Sequence, residues 1–321
     1  MAIVFLGTPA FAVPSLHRLA ADGFGIAAVY TQPDRPAGRG RHPTPPPLKA
    51  AALELGLQVR QPESLRDPTA LAELAALQPE AGVGVAYGQI LPQEVLDIPP
   101  RGVLNVHPSL LPRHRGAAPV PAAILAGDAE TGVTIILMDA GMDSGPVLAQ
   151  RRVPIKDSDT TGTLMAGLAE VAAELLAETL PRWLRGEIEP QPQDDSQATK
   201  APLLKKERAA IDWSLPAAEI WRRVRAYNPW PGAYTTFGGT LLHVWEAWPL
   251  PNGGAAPSTV VVLTPEQRAH LPEASGQEAF GVATGEGALA VLVAQREGRR
   301  ALPAGEFLRG MRDFIGRRLG T

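Results

Sequence analysis

Two short segments carry side chains whose types and spacing suit the transfer of an acyl group. The first, Asn105-Val106-His107, ends an apolar run, and alternation along an extended strand puts its asparagine and histidine on one face. The second is the glycine-rich loop Met138–Pro146, which holds Asp143 after another apolar run. An amide that donates to a developing oxyanion, with an imidazole and a carboxylate that exchange a proton, suits acyl transfer without a covalent intermediate.

Structural roles for the same residues stay open at this point. Asn105 and His107 could satisfy backbone groups at a strand end, and the aspartates of the second segment could form turns. Ser109 is a further candidate, as the nucleophile of a Ser-His-Asp arrangement, but two residues of one loop rarely orient as nucleophile and base. If Asp143 approaches His107, we expect its charge to raise the pKa of the imidazole.

The elements that must position these segments follow an α/β pattern. Short apolar runs alternate with amphipathic stretches, which predicts a doubly wound, mostly parallel sheet with ligands at the carboxyl ends of its strands. The predicted strands are Ile3–Leu6, Ile26–Thr31, Leu57–Val59, Ala81–Ala86, Val103–Val106 and Val133–Met138. The predicted helices are Ala10–Ala21, Pro47–Leu55, Pro68–Leu77, Ala117–Ala126 and Thr161–Leu184.

The composition changes in the second half of the chain. Residues 187–204 are rich in Gln, Pro and Asp, as linkers are, and most aromatic residues follow them. Short strand-like runs separated by Gly and Pro then predict a small β-barrel or sandwich. These runs are Leu241–Trp245, Thr259–Leu263 and Ala288–Val293. We therefore expect one domain over residues 1–186, a linker over 187–204 and a second domain over 205–321.

Arginines are grouped in two parts of the chain. The segment from Gln32 to Pro47 has no apolar periodicity and many prolines, which predicts a long exposed loop, and loops of that length are usually functional or disordered. Its arginines are Arg35, Arg39 and Arg41. A second cluster could form a basic surface or internal ion pairs, and it comprises Arg222, Arg223 and Arg225.

The composition excludes several classes of protein. The 321 residues include 30 basic and 33 acidic side chains, a net charge of −3, so any basic surface for a nucleic acid must be local. The absence of cysteine excludes disulfides and thiolate nucleophiles, and the six histidines lack metal-ligand spacing, so we expect no metal. No apolar run approaches the roughly 18–20 residues of a membrane span, and no basic leader precedes the first strand, so we expect a cytoplasmic protein without a membrane partner.

Six segments spread along the chain have a distinctive sequence: Thr31–Gly40, Val85–Gly88, Ile90–Pro92, Ser109–Pro112, Ala209–Ser214 and Arg225–Gly232. Through these segments, nearly the whole chain resembles the methionyl-tRNA formyltransferase family. Asn105, His107 and Asp143 match the catalytic residues of that family. The resemblance implies a Rossmann-like formyltransferase domain that binds 10-formyltetrahydrofolate, followed by an OB-like barrel that binds tRNA.

The resemblance also implies roles for individual residues. The expected folate-binding residues are Tyr87, Gly88, Ile90, Leu91, Ser109, Leu110, Leu111 and Pro112. The expected tRNA-binding residues are Arg35, Arg39, Arg41, Lys205, Lys206 and Arg208.

The implied reaction moves the formyl group of 10-formyltetrahydrofolate to the α-amine of methionyl initiator tRNA, for the initiation of translation, and we expect the enzyme to be a monomer. The catalytic trio is common to 10-formyltetrahydrofolate transferases of this fold, so it specifies the chemistry and not the acceptor. One alternative is a formyltransferase that acts on an amino-sugar nucleotide; the arginine loop favours tRNA. A second alternative is a non-catalytic nucleotide- or RNA-binding protein, against which the intact trio argues.

Overall fold

The computed structural model describes residues 2–37, 42–251, 254–273, 278–311 and 313–320. The chain forms two compact units. The first unit comprises Met1–Pro119, Ala129–Ile155 and Leu164–Pro202. The second unit comprises Val120–Asp128, Lys156–Thr163 and Leu203–Thr321.

Strands and helices alternate through the first part of the chain, as the apolar pattern predicts. In chain order the elements are β1 (Ala2–Gly7), α1 (Val13–Ala21), β2 (Gly25–Tyr30), β3 (Arg35–Ala37), β4 (His42–Thr44), α2 (Pro47–Glu54), β5 (Val59–Arg60), α3 (Pro68–Ala76), β6 (Ala81–Val85), α4 (Gln93–Leu96), β7 (Val103–His107), α5 (Pro119–Ala126), β8 (Glu130–Leu137), β9 (Val147–Pro154) and α6 (Thr161–Leu184). A 3-10 turn, Ala10–Ala12, precedes α1.

The first unit is built on a seven-stranded sheet in the order β5-β2-β1-β6-β7-β8-β9. The first five strands are parallel, and β8 runs antiparallel to both of its neighbours. The prediction of a mostly parallel doubly wound sheet is confirmed. The pattern of apolar runs did not reveal β9, because most of this edge strand alternates partly buried and exposed positions and it carries Arg151 and Arg152.

The arginine segment corrects one prediction, because it is not a loop throughout. β3 and β4 pair antiparallel from Arg35↔Thr44 to Ala37↔His42. The base of this hairpin is anchored through Asp34, whose carboxylate accepts from Gln61 Nε2 at 2.7 Å and from Lys49 Nζ at 2.8 Å. These two hydrogen bonds lower the pKa of Asp34. The hairpin pairing gives the segment backbone hydrogen-bond partners that its composition does not reveal.

The carboxyl edge of the parallel strands is tied together through one backbone carbonyl. The Tyr87 carbonyl, just after β6, accepts from Thr8 Oγ1 at 2.7 Å and from Gln32 Nε2 at 3.1 Å. Thr8 follows β1 and Gln32 follows β2, so the ends of three strands share this contact. The strands themselves are buried, with Phe5 and Leu6 fully inaccessible.

The second unit is an antiparallel sheet with short helices. Its further elements are α7 (Ala217–Ala226), β10 (Ala233–Phe237), β11 (Thr240–Leu250), β12 (Val260–Val261), α8 (Pro265–Ala269), β13 (Phe280–Ala283), β14 (Ala288–Arg296), β15 (Leu302–Pro303) and α9 (Ala304–Arg309). The strand order is β10-β11-β14-β13-β12, with β15 on β14. Register shifts on both sides of Glu246 bend the long strand β11, and the sheet curls into a half-barrel, which confirms the OB-like prediction.

Aromatic side chains fill the core of the half-barrel. The rings of Phe280, Phe307 and Phe314 pack with centroids 5.2–5.8 Å apart, within the range of favourable aromatic pairs. Trp213 is also buried, and its Nε1 donates to Thr235 Oγ1 at 3.1 Å. The concentration of aromatic residues in this part of the chain is therefore explained mainly by the packing of the core.

The segment with linker composition does more than connect the units. Residues 187–202 belong to the first unit, where Ala201 N donates to the Arg115 carbonyl at 2.7 Å and Gln191 exchanges backbone bonds with Val147. The domain bounds 1–186, 187–204 and 205–321 remain predictions. Among the described residues, no helix is long and apolar enough to cross a membrane.

Candidate active site

β7 and the loop after β8 bring the predicted trio together. Asn105 and His107 lie at alternate positions of β7 and both contact the carboxylate of Asp143. Asn105 Nδ2 lies 3.3 Å from Asp143 Oδ1, and His107 Nδ1 lies 3.6 Å from Asp143 Oδ2. The His107 side chain is 6% exposed and that of Asp143 is 17% exposed, so the pair is shielded while the carboxylate stays reachable.

The path of the loop could not be foreseen from the order of the strands. Because β8 runs antiparallel to β7, its last residue Leu137 pairs with Leu104 near the start of β7. The Met138 N–H then donates to the Val103 carbonyl at 2.8 Å, and the loop returns toward the end of β7. This return places Asp143 beside His107, although the two preceding strands point in opposite directions.

The two aspartates of the loop have different roles. Asp139 Oδ1 accepts from Gly141 N and from Ser144 Oγ, both at 3.0 Å, so this exposed residue shapes the turn. Asp143 has φ +53°, in the left-handed region that Asp tolerates better than most residues. Its Oδ2 accepts from Gly116 N at 2.8 Å, which orients the carboxylate toward β7.

Gln193, from the segment predicted as a linker, braces this loop. Its Nε2 donates to the Asp143 carbonyl at 2.8 Å and to the Gly145 carbonyl at 2.7 Å. Its Oε1 accepts from Arg115 Nε and Nη2 at 3.1 and 2.8 Å. The Arg115 Nη2 group also lies 2.7 Å from Asp195 Oδ1. The backbone around Asp143 is therefore fixed by a network of three further side chains.

The hydrogen bonds of His107 assign its tautomer. Nε2 lies 3.0 Å from the carbonyl oxygen of His114, which can only accept, so Nε2 carries the proton. Nδ1 is then the nitrogen that faces Asp143 and can take a further proton. Burial lowers the pKa of His107 below its ordinary value of 6.5, outweighing the opposite effect of Asp143, which corrects the expectation of a raised pKa.

His114 is held in place by the same segment that supplies Gln193. The His114 N–H donates to Thr199 Oγ1 at 2.8 Å, and the Arg115 N–H donates to the Thr199 carbonyl at 2.9 Å. His114 has φ +62°, another left-handed backbone position beside the site. Sequence reasoning missed Gln193 and Thr199, since polar residues in a stretch of linker composition give no signal of a supporting role.

The predicted folate loop after β6 has both buried and exposed members. Tyr87 is 5% exposed and belongs to the core, with burial raising the pKa of its phenol, whereas Ile90 is 78% exposed. Leu91 packs against the same core. Gly88 has φ +80°, and a Cβ there would lie 2.3 Å from Gln32 Nε2, so this position needs glycine. The roles of these residues in folate binding stay predictions.

The turn Ser109–Pro112 is fixed by side chains of β8 and β9. The buried Ser109 Oγ donates to the Arg113 carbonyl at 2.7 Å, so its proton is engaged by backbone and not by an imidazole. The Leu111 N–H donates to Thr134 Oγ1 at 3.1 Å, and its carbonyl accepts from Gln150 Nε2 at 3.0 Å. The alternative of Ser109 as a nucleophile gains no support, and the predicted contacts of Leu110 and Pro112 with folate stay predictions.

The predicted tRNA-binding residues fall in both units. Arg35 is exposed at the start of β3 in the first unit. Arg39 and Arg41 lie outside the described residues. Lys205, Lys206 and Arg208 are exposed around the 3-10 turn Lys206–Ala209 in the second unit. Within the described ranges of the chain, no three His, Asp or Glu side chains are grouped so as to hold a metal ion.

Comparison with known protein families defines the class. A family model described as formyl transferase matches residues 1–180, and a model described as formyl transferase, C-terminal domain, matches residues 203–312. The protein is therefore an enzyme of the formyl transferase class. At a finer level, the chain belongs to the methionyl-tRNA formyltransferase family. Curated members include one from Roseiflexus sp. (strain RS-1), 51% identical over 99% of this chain and 95% of that protein, and one from Solibacter usitatus, 47% identical over 100% and 99%.

Solved structures share the fold at low sequence identity. HypX from Aquifex aeolicus is 21% identical with a TM-score of 0.65 over 97% of this chain, which spans 48% of the HypX chain. An N-formyltransferase from Helicobacter canadensis, determined with folinic acid and dTDP-3-aminofucose, is 18% identical with a TM-score of 0.65, covering 92% of this chain and 98% of that one. These likenesses establish the architecture of the two units.

Proposed function

We propose that this enzyme transfers the formyl group of 10-formyltetrahydrofolate to the α-amine of methionyl initiator tRNA, and that it does so in the cytoplasm. The observation that carries the proposal is the convergence of Asn105, His107 and Asp143, with 3.3 and 3.6 Å to the one carboxylate. Identities near 50% to curated methionyl-tRNA formyltransferases over almost the full chain support the choice of acceptor.

The residues of the site fit a formyl donor. Asn105 donates one amide N–H to Asp143. Its second amide N–H is left to donate to the formyl oxygen as negative charge develops there. When bound, 10-formyltetrahydrofolate supplies the formyl group. Gly88 and the exposed Ile90 offer backbone and an apolar side chain at the carboxyl edge of the sheet, where ligands of such folds bind.

The proton of the attacking amine needs an acceptor inside the protein. As the amine forms its bond to the formyl carbon and the bond from that carbon to the folate nitrogen breaks, one proton must move from the amine to the folate nitrogen. Asp143 is the acceptor, because its carboxylate is held by Gly116 and lies beside the unprotonated Nδ1 of His107. His107 shares that proton through Nδ1 while Nε2 stays bound to His114, so the imidazole keeps its orientation.

The tRNA contacts come from basic side chains in both units. In the first unit we assign Arg35, with Arg39 and Arg41, to the tRNA backbone. In the second unit we assign Lys205, Lys206 and Arg208. Contacts of this kind supply affinity that falls with salt and carry little sequence information, so the choice of initiator tRNA requires other features of the complex.

The test is a formyl-transfer assay with 10-formyltetrahydrofolate and three acceptors. These are methionyl initiator tRNA, uncharged initiator tRNA and an amino-sugar nucleotide. We expect transfer to the charged tRNA alone, and its loss in Asp143→Asn. Transfer to the sugar nucleotide alone would replace the proposed acceptor, and unchanged transfer by Asp143→Asn would remove the proposed base.

A further inference from the structure

A cavity of about 360 Å³ in the second unit has arginine at half of its lining positions. We call it the arginine pocket, and its lining residues are Leu125, Arg208, Glu219, Arg222, Arg223 and Tyr227. The lining supplies three guanidinium groups and one carboxylate, so the pocket carries net positive charge. The chain as a whole has a net charge of −3, which makes this a local feature.

The spacing of residues along α7 explains why they share the pocket. Glu219, Arg222 and Arg223 are three and four positions apart, so they lie on one face of the helix. Ile220 and Val224 occupy the opposite, buried face and pack in the core of the half-barrel. The helix thus presents a polar face that the core does not cover.

The arginines of α7 differ in how their donors are used. Arg225 is 8% exposed, and it donates to the carbonyls of Asp159 and Lys156 at 2.7 and 2.6 Å. Its guanidinium also lies 4.3 Å from the centre of the Trp221 ring. This arginine is a structural residue, and its bonds to backbone carbonyls match neither the basic surface nor the internal ion pair expected for the cluster.

Arg223 and Arg222 face the pocket with different partners. Arg223 Nη2 lies 2.8 Å from Glu219 Oε1, so one of the three positive charges is offset. Arg222 Nε, by contrast, is buried and meets no hydrogen-bond acceptor among the residues that the structure describes. A buried donor without an acceptor is costly, so this guanidinium keeps hydrogen-bonding capacity for an anion.

The Arg222 guanidinium packs against a tight backbone turn at Gly127. Gly127 has φ +73°, and a Cβ there would lie 2.2 Å from Arg222 Nη1. The glycine leaves room for the guanidinium beside the turn after α5. Tyr227, 3% exposed, adds a phenol whose pKa is raised by burial, so it stays a hydrogen-bond donor at neutral pH.

The surface around the pocket extends the positive charge. Arg208 lines the pocket from the 3-10 turn Lys206–Ala209, and Lys205 and Lys206 are exposed next to it. Guanidinium groups match phosphate oxygens with paired hydrogen bonds, and arginine is weakly hydrated compared with lysine. The cavity of about 360 Å³ has room for a phosphate group.

We propose that the arginine pocket binds one phosphodiester group of the tRNA backbone, with Arg222 and Arg208 as its principal contacts. This assignment rests on the proposed function, since tRNA is the acceptor there. A free phosphate compound has the same chemistry as a backbone phosphate, and the experiment separates the two sources.

The experiment compares Arg222→Gln and Arg208→Gln with Arg309→Gln. Arg309 is an exposed arginine of α9 that does not line the pocket, so its variant controls for the loss of one charge. Direct binding of initiator tRNA is measured at several chloride concentrations, alongside kcat and KM for formyl transfer. Thermal unfolding identifies any variant that misfolds, and the exposed Arg208 gives a variant that does not depend on a buried group.

We expect each pocket variant to weaken tRNA binding about tenfold and to raise KM for tRNA about tenfold, with kcat unchanged. The plot of log affinity against log salt should become less steep by about one unit of slope. Arg309→Gln should change neither the affinity for tRNA nor KM by more than about twofold. Pocket variants that match Arg309→Gln would overturn the proposal. Because direct binding does not require turnover, a wild-type enzyme that binds tRNA without formylating it would count against the proposed function alone.

Inorganic phosphate provides the second arm, with ionic strength held constant by chloride. If the pocket holds a tRNA phosphate, phosphate competes with tRNA on the wild-type enzyme and loses that effect in Arg222→Gln. If phosphate stabilises the wild type against heat through Arg222 but leaves tRNA affinity untouched, the pocket serves a small phosphate compound and the tRNA assignment is wrong.

Discussion

The surroundings of His107 and the arginine pocket use polar groups in opposite ways. Around His107 the donors are bonded within the protein, with Nε2 on the His114 carbonyl and Gly116 N on Asp143. In the arginine pocket Arg222 Nε is buried with no acceptor among the described residues, and the lining holds three guanidinium groups and the one carboxylate of Glu219. The first arrangement fixes geometry before any ligand arrives, whereas the second leaves hydrogen-bonding capacity for a ligand. Catalysis benefits from the former and electrostatic binding from the latter.

Replacing Asp143 is the strongest test of the fixed arrangement. Asp143→Asn should lower kcat by about 10²–10³-fold, because the amide cannot accept the amine proton. The affinities for folate and tRNA should stay within about twofold, since the variant is isosteric and Asn also tolerates the left-handed backbone at φ +53°. Steady-state kinetics and direct binding measure the two effects.

Asp139→Asn is the matched control for that variant. Asp139 lies in the same loop but is exposed and bonds to Gly141 and Ser144, so its replacement should leave kcat within about threefold. Equal losses of kcat in both variants would show that the loop needs its negative charge and not a base at residue 143.

The trio was predictable because each member sits next to a strong local signal. Asn105 and His107 end an apolar run and Asp143 lies in a glycine-rich loop, and the family resemblance joins them. The supporting residues gave no such signal. Gln193 and Thr199 act through backbone carbonyls and N–H groups of a distant segment, and such contacts depend on tertiary structure that residue types do not encode locally.

The fold was predictable where apolar periodicity is strong and failed where it is weak. Buried parallel strands such as β1 and β6 are continuous apolar runs, so the predicted bounds lie within one residue of the observed ones. The edge strand β9 and the hairpin of β3 and β4 contain charged residues and proline, and their pairing is set by neighbours. The direction of β8, which sends the Asp143 loop back along β7, is likewise a property of the whole sheet.

Removing the brace on the Asp143 loop should have the next largest effect. Gln193→Leu deletes two hydrogen bonds to the backbone of Asp143 and Gly145, each worth about 0.5–1.5 kcal/mol. We expect kcat to fall about tenfold with KM for both substrates unchanged, since Gln193 positions the base without touching substrate. Gln193→Glu should not restore activity, because a carboxylate cannot donate to the two carbonyls.

Gln191→Leu is the control for the brace, as Gln191 is exposed and its side chain bonds only to the nearby Glu189 carbonyl in the described structure. Its kinetics should match those of the wild type. A rise in KM without a loss of kcat in Gln193→Leu would assign Gln193 to substrate binding, and the region around His107 would then resemble the arginine pocket more closely than we infer.

The burial of His107 predicts a dependence of stability on pH. Because the folded-state pKa of His107 lies below its ordinary value of 6.5, the unfolded chain gains a proton there before the folded protein does. The contribution of neutral, buried His107 to the free energy of unfolding is therefore complete above pH 6.5. It is lost as the pH falls from 6.5 toward the folded-state pKa, by at most about 1.4 kcal/mol per pH unit. Urea unfolding of wild type and His107→Gln between pH 5 and 8 measures this, and the two should differ less at low pH. Parallel curves would show that His107 titrates alike in both states.

The smallest effect on tRNA binding is expected for Arg35. This variant compares an exposed arginine of the hairpin with the arginines that line the arginine pocket. Arg35 is exposed on β3 and, unlike the exposed Arg208, does not line the arginine pocket, so its contact with a tRNA phosphate is screened and worth little. Arg35→Gln should weaken tRNA binding about two- to threefold and lower the salt slope by about one, with Arg66→Gln, another exposed arginine of the first unit, as the control. Binding assays across chloride concentrations decide the order. A loss at Arg35 larger than that at Arg222 would mean that the hairpin dominates recognition, and an unsatisfied buried donor would then no longer mark the stronger phosphate contact.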